Sequence, residues 1–98
     1  MTKEMREYIK ECDCEEIQHL WKPKNERGDS FYIPSLSWLK KKMGKKLRRL
    51  YTRDKVWICE YISSEWTFMW TVRSSPRLVC IEALKAINKP MVFINSNG

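Results

Sequence analysis

Residues 36–53 read LSWLKKKMGKKLRRLYTR, and the way this stretch folds decides where the densest run of the chain's cations lies. Leu36, Leu39, Met43, Leu47 and Leu50 recur at spacings of three, four, four and three, the beat of one helical face. At about 100° per residue these five side chains fall within roughly 60° of one another. The spacing therefore predicts a single amphipathic helix over 36–53. Lys41, Lys42, Lys45, Lys46, Arg48 and Arg49 fan out across its opposite side, and Arg53 lies just beyond them. Trp38 lands among the lysines and off the leucine stripe. Gly44 is the weak point, because an interior glycine costs about 1 kcal/mol against alanine and glycine is also favoured just past a helix end. The stripe keeps phase across Gly44, so a continuous or merely kinked helix is expected; a break at Met43 with a restart at Lys45 is the other arrangement.

Upstream, Ser35 follows Pro34 and is suited to cap this helix. Phe31-Tyr32-Ile33 is a short β-prone run ended by that proline, and it is read as a brief strand. Residues 22–29, KPKNERGD, hold no apolar side chain and predict a loop. Before them, Met5, Tyr8 and Ile9 recur at helical spacing in KEMREYIKE (3–11). A second helix, about 14–20, starts after Asp13, which with Glu16 has the form of a capping box.

Downstream, residues 55–62 and 66–73 are rich in β-branched and aromatic side chains and predict a hairpin. Val56, Ile58, Glu60 and Ile62 alternate with Trp57, Cys59 and Tyr61; Trp66, Phe68 and Trp70 alternate with Thr67, Met69 and Thr71. Neither face is plainly polar, so both are expected to be partly covered. The aromatic band offers a ring platform of the kind that stacks bases, but aromatic strands more often form core, and core is the expectation. Ser74-Ser75-Pro76 opens a helix that buries Leu78, Ile81 and Leu84, and Asn88-Lys89-Pro90 stops it. Residues 91–94 offer an optional edge strand, and 95–98 are expected to be a disordered tail. The fold class is α+β: one small domain, 1–98, with a mostly antiparallel sheet covered by helices in the order α-α-β-α-β-β-α.

The formal net charge of +7 is concentrated. Residues 1–21 sum to −3 and residues 40–55 to +8 (nine basic, one acidic), while 22–39 and 56–98 contribute +1 each. One basic patch on a small domain is the electrostatic footprint of a phosphate-backbone binder, and Trp38 within it is placed to stack on an unpaired base. The candidate polyanion-binding residues are Trp38, Lys41, Lys42, Lys45, Lys46, Arg48, Arg49 and Arg53. The alternative is a solvated face whose lysines serve solubility, neutralised in part by the acidic first segment, in a protein with a structural role and no polyanion partner.

No run of eighteen apolar residues occurs, and the charged start MTKEMREYIKECDCEE lacks a signal-peptide core, so a cytoplasmic protein without a membrane partner is expected. Cys12, Cys14, Cys59 and Cys80 are then free thiols. With His19 they make a poor zinc pattern, since C-x-C occurs once and paired knuckles are lacking; no metal and no cofactor is expected. A lone histidine without a nucleophile signature or glycine-rich loop points away from an enzyme.

The segments CDCEEIQHLWKPK (12–24), GDSFY (28–32) and SPRLVCIEALKAI (75–87) resemble, in that order, pieces of small uncharacterised proteins encoded by bacteriophages and prophages. The resemblance implies no catalytic motif. It implies action by binding nucleic acid, an acidic host protein, or a host defence complex such as a CRISPR effector that it inhibits. The lysine run over 40–49 is not part of that pattern.

Overall fold

The structure, a computed structural model, describes residues 2–88. Among these residues, five α-helices and a three-stranded antiparallel sheet make an α+β domain, with the strands ordered across the sheet as in the chain. Helices α1 (Lys3–Cys12), α2 (Glu15–Trp21), α3 (Lys24–Arg27) and α4 (Leu36–Met43) precede β1 (Leu47–Arg53), β2 (Val56–Ile62) and β3 (Phe68–Arg73). Helix α5 (Pro76–Ile87) closes the series. The residues read as an optional strand (91–94) and a tail (95–98) lie outside the described range.

Helix α5 is the centre of the core. Ser75 caps it, its hydroxyl accepting from the Leu78 N–H at 3.1 Å, and Pro76 fills the first position, where an N–H is not needed. Leu78, Val79, Cys80, Ile81, Ala83, Leu84 and Ile87 are buried, a stripe wide enough to meet partners on several sides. Helix α5 lies on β2 and β3, and α4, α1 and α2 pack around it. Two ion pairs fix its register: Arg73–Glu82 at 3.4 Å to the sheet and Lys85–Glu11 at 2.6 Å to α1.

The predicted helix over 36–53 is overturned at Gly44. Helix α4 stops at Met43, and Gly44 takes φ 55° and ψ −131°, a conformation open in practice only to glycine. A 3₁₀ turn, Gly44–Lys46, follows, and from Leu47 the chain is β-strand. The leucine stripe nevertheless faces inward throughout. Leu39 and Met43 are buried, and Leu36, Leu47 and Leu50 pack against the core. In a regular strand, residues three apart face opposite sides. Between Leu47 and Arg49, however, two steps of β1 oppose one step of β2 (Tyr61 to Glu60), a β-bulge centred on Arg48. The inserted residue returns Leu50 to the side of Leu47, and so counterfeits the helical spacing.

Phe31–Ile33 is not a strand. Gln18, buried on α2, accepts from the Tyr32 N–H at 2.9 Å and donates to the Tyr32 and Cys12 carbonyls at 2.8 and 3.0 Å. One side chain thus supplies both bonds that a neighbouring strand would have supplied to Tyr32. Beyond it, the Tyr8 hydroxyl donates to the buried Pro34 carbonyl. The expected loop at 22–29 contains the single turn α3, and the N-cap of α2 is Cys14, with Asp13 ending α1 instead of opening α2.

Candidate functional site

The sheet has one covered face and one open face. Leu50, Cys59, Tyr61 and Thr71 look toward α5, where the Thr71 hydroxyl donates to the Val79 carbonyl at 3.2 Å. The opposite side is built in cross-strand rows. Arg49, Glu60 and Trp70 form one, Tyr51, Ile58 and Val72 the next, and Ile62 pairs with Phe68 beyond. No described element covers this side. Trp70 is 63% exposed, Phe68 52% and Val72 47%. Phe68 and Trp70 are core in the sequence reading, and two strands alone cannot show that α5, with α4 packed against it, covers only the other face. A shallow groove of about 390 Å³ runs across the open face, lined by Tyr51, Arg53, Ile58, Glu60, Phe68, Trp70 and Val72.

The cations are arranged along one edge. Because β1 is an edge strand, Arg49 and Arg53 project onto the open face, in phase with Tyr51, while Lys41 and Lys42 ride on α4 in the helical layer. Lys45 and Lys46 occupy the 3₁₀ turn that joins the layers, and Arg48 sits at the bulge. The predicted single helix face is therefore a band that passes round the β1 edge from one layer to the other. Among the described residues, Arg49 alone of this band is ion-paired, to Glu60 at 3.8 Å, so the acidic first segment does not neutralise it. Lys41, Lys42, Lys45, Arg48, Arg49 and Arg53 are exposed.

Several cations lie against rings. The Lys46 ammonium sits 4.8 Å from the Trp66 ring, and the Arg49 guanidinium 4.6 Å from the Tyr51 ring. Trp66 is 76% exposed and has φ +62° at the tip of the β2–β3 loop. A bulky residue in the left-handed region costs about 1–2 kcal/mol. The loop sustains it through Ser63, whose carbonyl accepts from the Trp66 N–H and whose hydroxyl accepts from the Glu65 and Thr67 N–H groups. Trp38 is placed otherwise. It is half-buried, edge-on to Tyr32 at 5.3 Å, and covered by the Lys42 ammonium at 5.5 Å; Tyr32 in turn stacks on Trp21 at 5.0 Å. This cluster anchors the segment before α4.

The cysteines and His19 do not converge. Cys12 is buried beside Tyr8, Cys59 and Cys80 lie between β2 and α5, and His19 is exposed on α2. Among the described residues no group of three or more His, Cys, Asp or Glu is arranged to hold a metal ion. Burial pushes the Cys12 thiol up to about 11, and a hydrogen bond with Cys80 together with burial pushes the Cys59 thiol up. No helix among the described residues is long and apolar enough to cross a membrane. Compared with known families, curated proteins and solved structures, the chain matches none.

Proposed function

We propose that this protein is a binding protein that engages a polyanionic macromolecule, nucleic acid in the first place, through the cationic band of residues 41–53. The observation that carries the reading is the band itself: cations from α4, the 3₁₀ turn and β1, all but the half-buried Lys46 exposed, with Arg49 alone of them ion-paired among the described residues. Like charges gathered along one edge repel one another, and a phosphate backbone relieves that repulsion while releasing its own counterions.

The test is the salt dependence of affinity for a labelled oligonucleotide between 50 and 200 mM salt. Each phosphate contact contributes about 0.7–0.9 to the log–log slope, so Lys42→Ala/Lys45→Ala/Arg49→Ala together lower it by about 2–3. A parent slope near zero rejects the reading. The second reading is a host protein partner, in keeping with the phage resemblance and with action as an inhibitor of a defence complex. The exposed apolar side chains of the open sheet face favour it. A pull-down repeated with and without nuclease separates the two.

A further inference from the structure

We infer that the open face of the sheet is a stacking platform for the bases of a single-stranded nucleic acid, Trp70 being its principal ring, with Phe68 and then Trp66 following it toward the β2–β3 loop. The inference rests on the polyanion reading and deepens it by naming the strandedness of the ligand and the residues that meet its bases.

Three observations carry it. The first is the division of the sheet: the cationic strand β1 is one edge and the aromatic strand β3 the other, about 10 Å apart across β2. A chain laid along this sheet meets positive charge on one side for its phosphates and exposed rings on the other for its bases. A duplex offers no such pairing, because its bases are already stacked on one another and its outer surface is phosphate. The second is that cations lie directly on rings, Arg49 over Tyr51 two residues along β1 and Lys46 over Trp66 beside the β2–β3 loop. A face made for an apolar protein surface would bury these cations at a cost, whereas beside phosphates they remain paired. The third is Trp66, held exposed in a backbone conformation that a tryptophan adopts only against strain.

Glu60, the one carboxylate in the groove, fits the same division. It stands between Arg49 and Trp70 in the middle strand, where the base edges would lie, and a carboxylate there accepts from an exocyclic amino group. Phosphate is kept to the β1 side.

The experiment compares the full chain with Trp70→Ala, Trp70→Phe and the Lys42/Lys45/Arg49 triple-alanine variant. Each is titrated by fluorescence anisotropy against a labelled 12-nucleotide single strand and the matching duplex. The parent is expected to bind the single strand at least about 10-fold more tightly than the duplex. Trp70→Ala is expected to weaken single-strand binding by about 10-fold or more while leaving the salt slope unchanged, and Trp70→Phe to restore most of it. The triple variant is expected to lower the slope for both ligands. Trp70 is solvent-exposed, so an unchanged urea midpoint confirms that its loss leaves the fold intact.

If the parent binds both ligands equally and with salt dependence, and Trp70→Ala changes nothing, the platform is refuted and the polyanion reading stands. If no salt-dependent binding to either ligand is found, both fall. If sedimentation shows that the parent self-associates and Trp70→Ala does not, with single-strand affinity unaltered, the face is a contact between copies and the inference is overturned.

Discussion

Replacing Gly44 by alanine separates the two ways residues 36–53 can fold, because they predict opposite signs. In a continuous helix the substitution relieves the flexibility of an interior glycine and stabilises by about 1 kcal/mol. In the observed turn, Gly44 has φ 55° and ψ −131°, and a Cβ built there meets nothing within 4 Å. The cost is therefore one of backbone conformation alone, on the order of 1–3 kcal/mol. The two arrangements differ by about 2–4 kcal/mol, more than the uncertainty of a denaturation curve. With a urea dependence of about 2 kcal/mol per molar, a loss near 2 kcal/mol lowers the unfolding midpoint by about 1 M at unchanged slope. Gly28, which ends α3 at φ 57° and ψ −122° and is equally open, provides an internal comparison. Gly28→Ala should lower the midpoint similarly. A Gly44→Ala midpoint that rises while that of Gly28→Ala falls would refute the strand assignment for 47–53 and the sheet-edge placement of its arginines.

Three further outcomes are expected. Leu84→Ala, deep in α5, should lower stability by about 2–5 kcal/mol, whereas Trp70→Ala should stay within about 0.5 kcal/mol of the parent; equal losses in urea titrations would contradict the open face. Gln18→Leu should cost about 1–3 kcal/mol, because the Tyr32 carbonyl and N–H lose the Gln18 amide and the Cys12 carbonyl keeps only the Cys14 N–H, and hydrogen exchange at Tyr32 should quicken; an exchange rate equal to the parent's would argue against the clamp. The hydrogen bond from Lys85 holds the Glu11 carboxyl below its usual value near 4.5. A carboxylate with a depressed folded pKa contributes stability that is present above its unfolded pKa and is lost as pH falls through the folded one. Urea midpoints from pH 7 to 3 should therefore fall more steeply below about pH 4.5 in the parent than in Glu11→Gln; parallel curves would remove that contribution.

Much of the fold follows from local chemistry that a sequence displays. Ser35 and Ser75 cap their helices as expected, and the period-two alternation of 56–62 and 68–73 gives the paired strands. The first half of the basic stretch is helical as its spacing implies. The second half was hidden by the bulge at Arg48, which places Leu47 and Leu50 on one side of a strand at an interval that ordinarily marks a helix. A signal was present in Leu50-Tyr51-Thr52, whose β-prone run leads into Asp54-Lys55. Both of these turn residues have positive φ, at 51° and 68°, the conformation of a tight two-residue hairpin turn. Without the Asn-Gly or Asp-Gly pair that usually advertises such a turn, it reads as the charged end of a helix.

The candidate site was legible in its charges and illegible in its rings. Lys41 through Arg53 declare themselves by composition. Whether Phe68 and Trp70 are core or surface depends on which face of the sheet α5 comes to rest on, and that is settled by contacts between separate elements of the chain.

The sheltering of three of the four cysteines gives the molecule a built-in opening counter. Cys12, Cys59 and Cys80 have no solvent exposure, while Cys14, at the start of α2, is only partly covered. An alkylating reagent reaches the last while the fold is shut and all four once it has come apart. The mass of each labelled chain therefore records whether that individual molecule has ever opened.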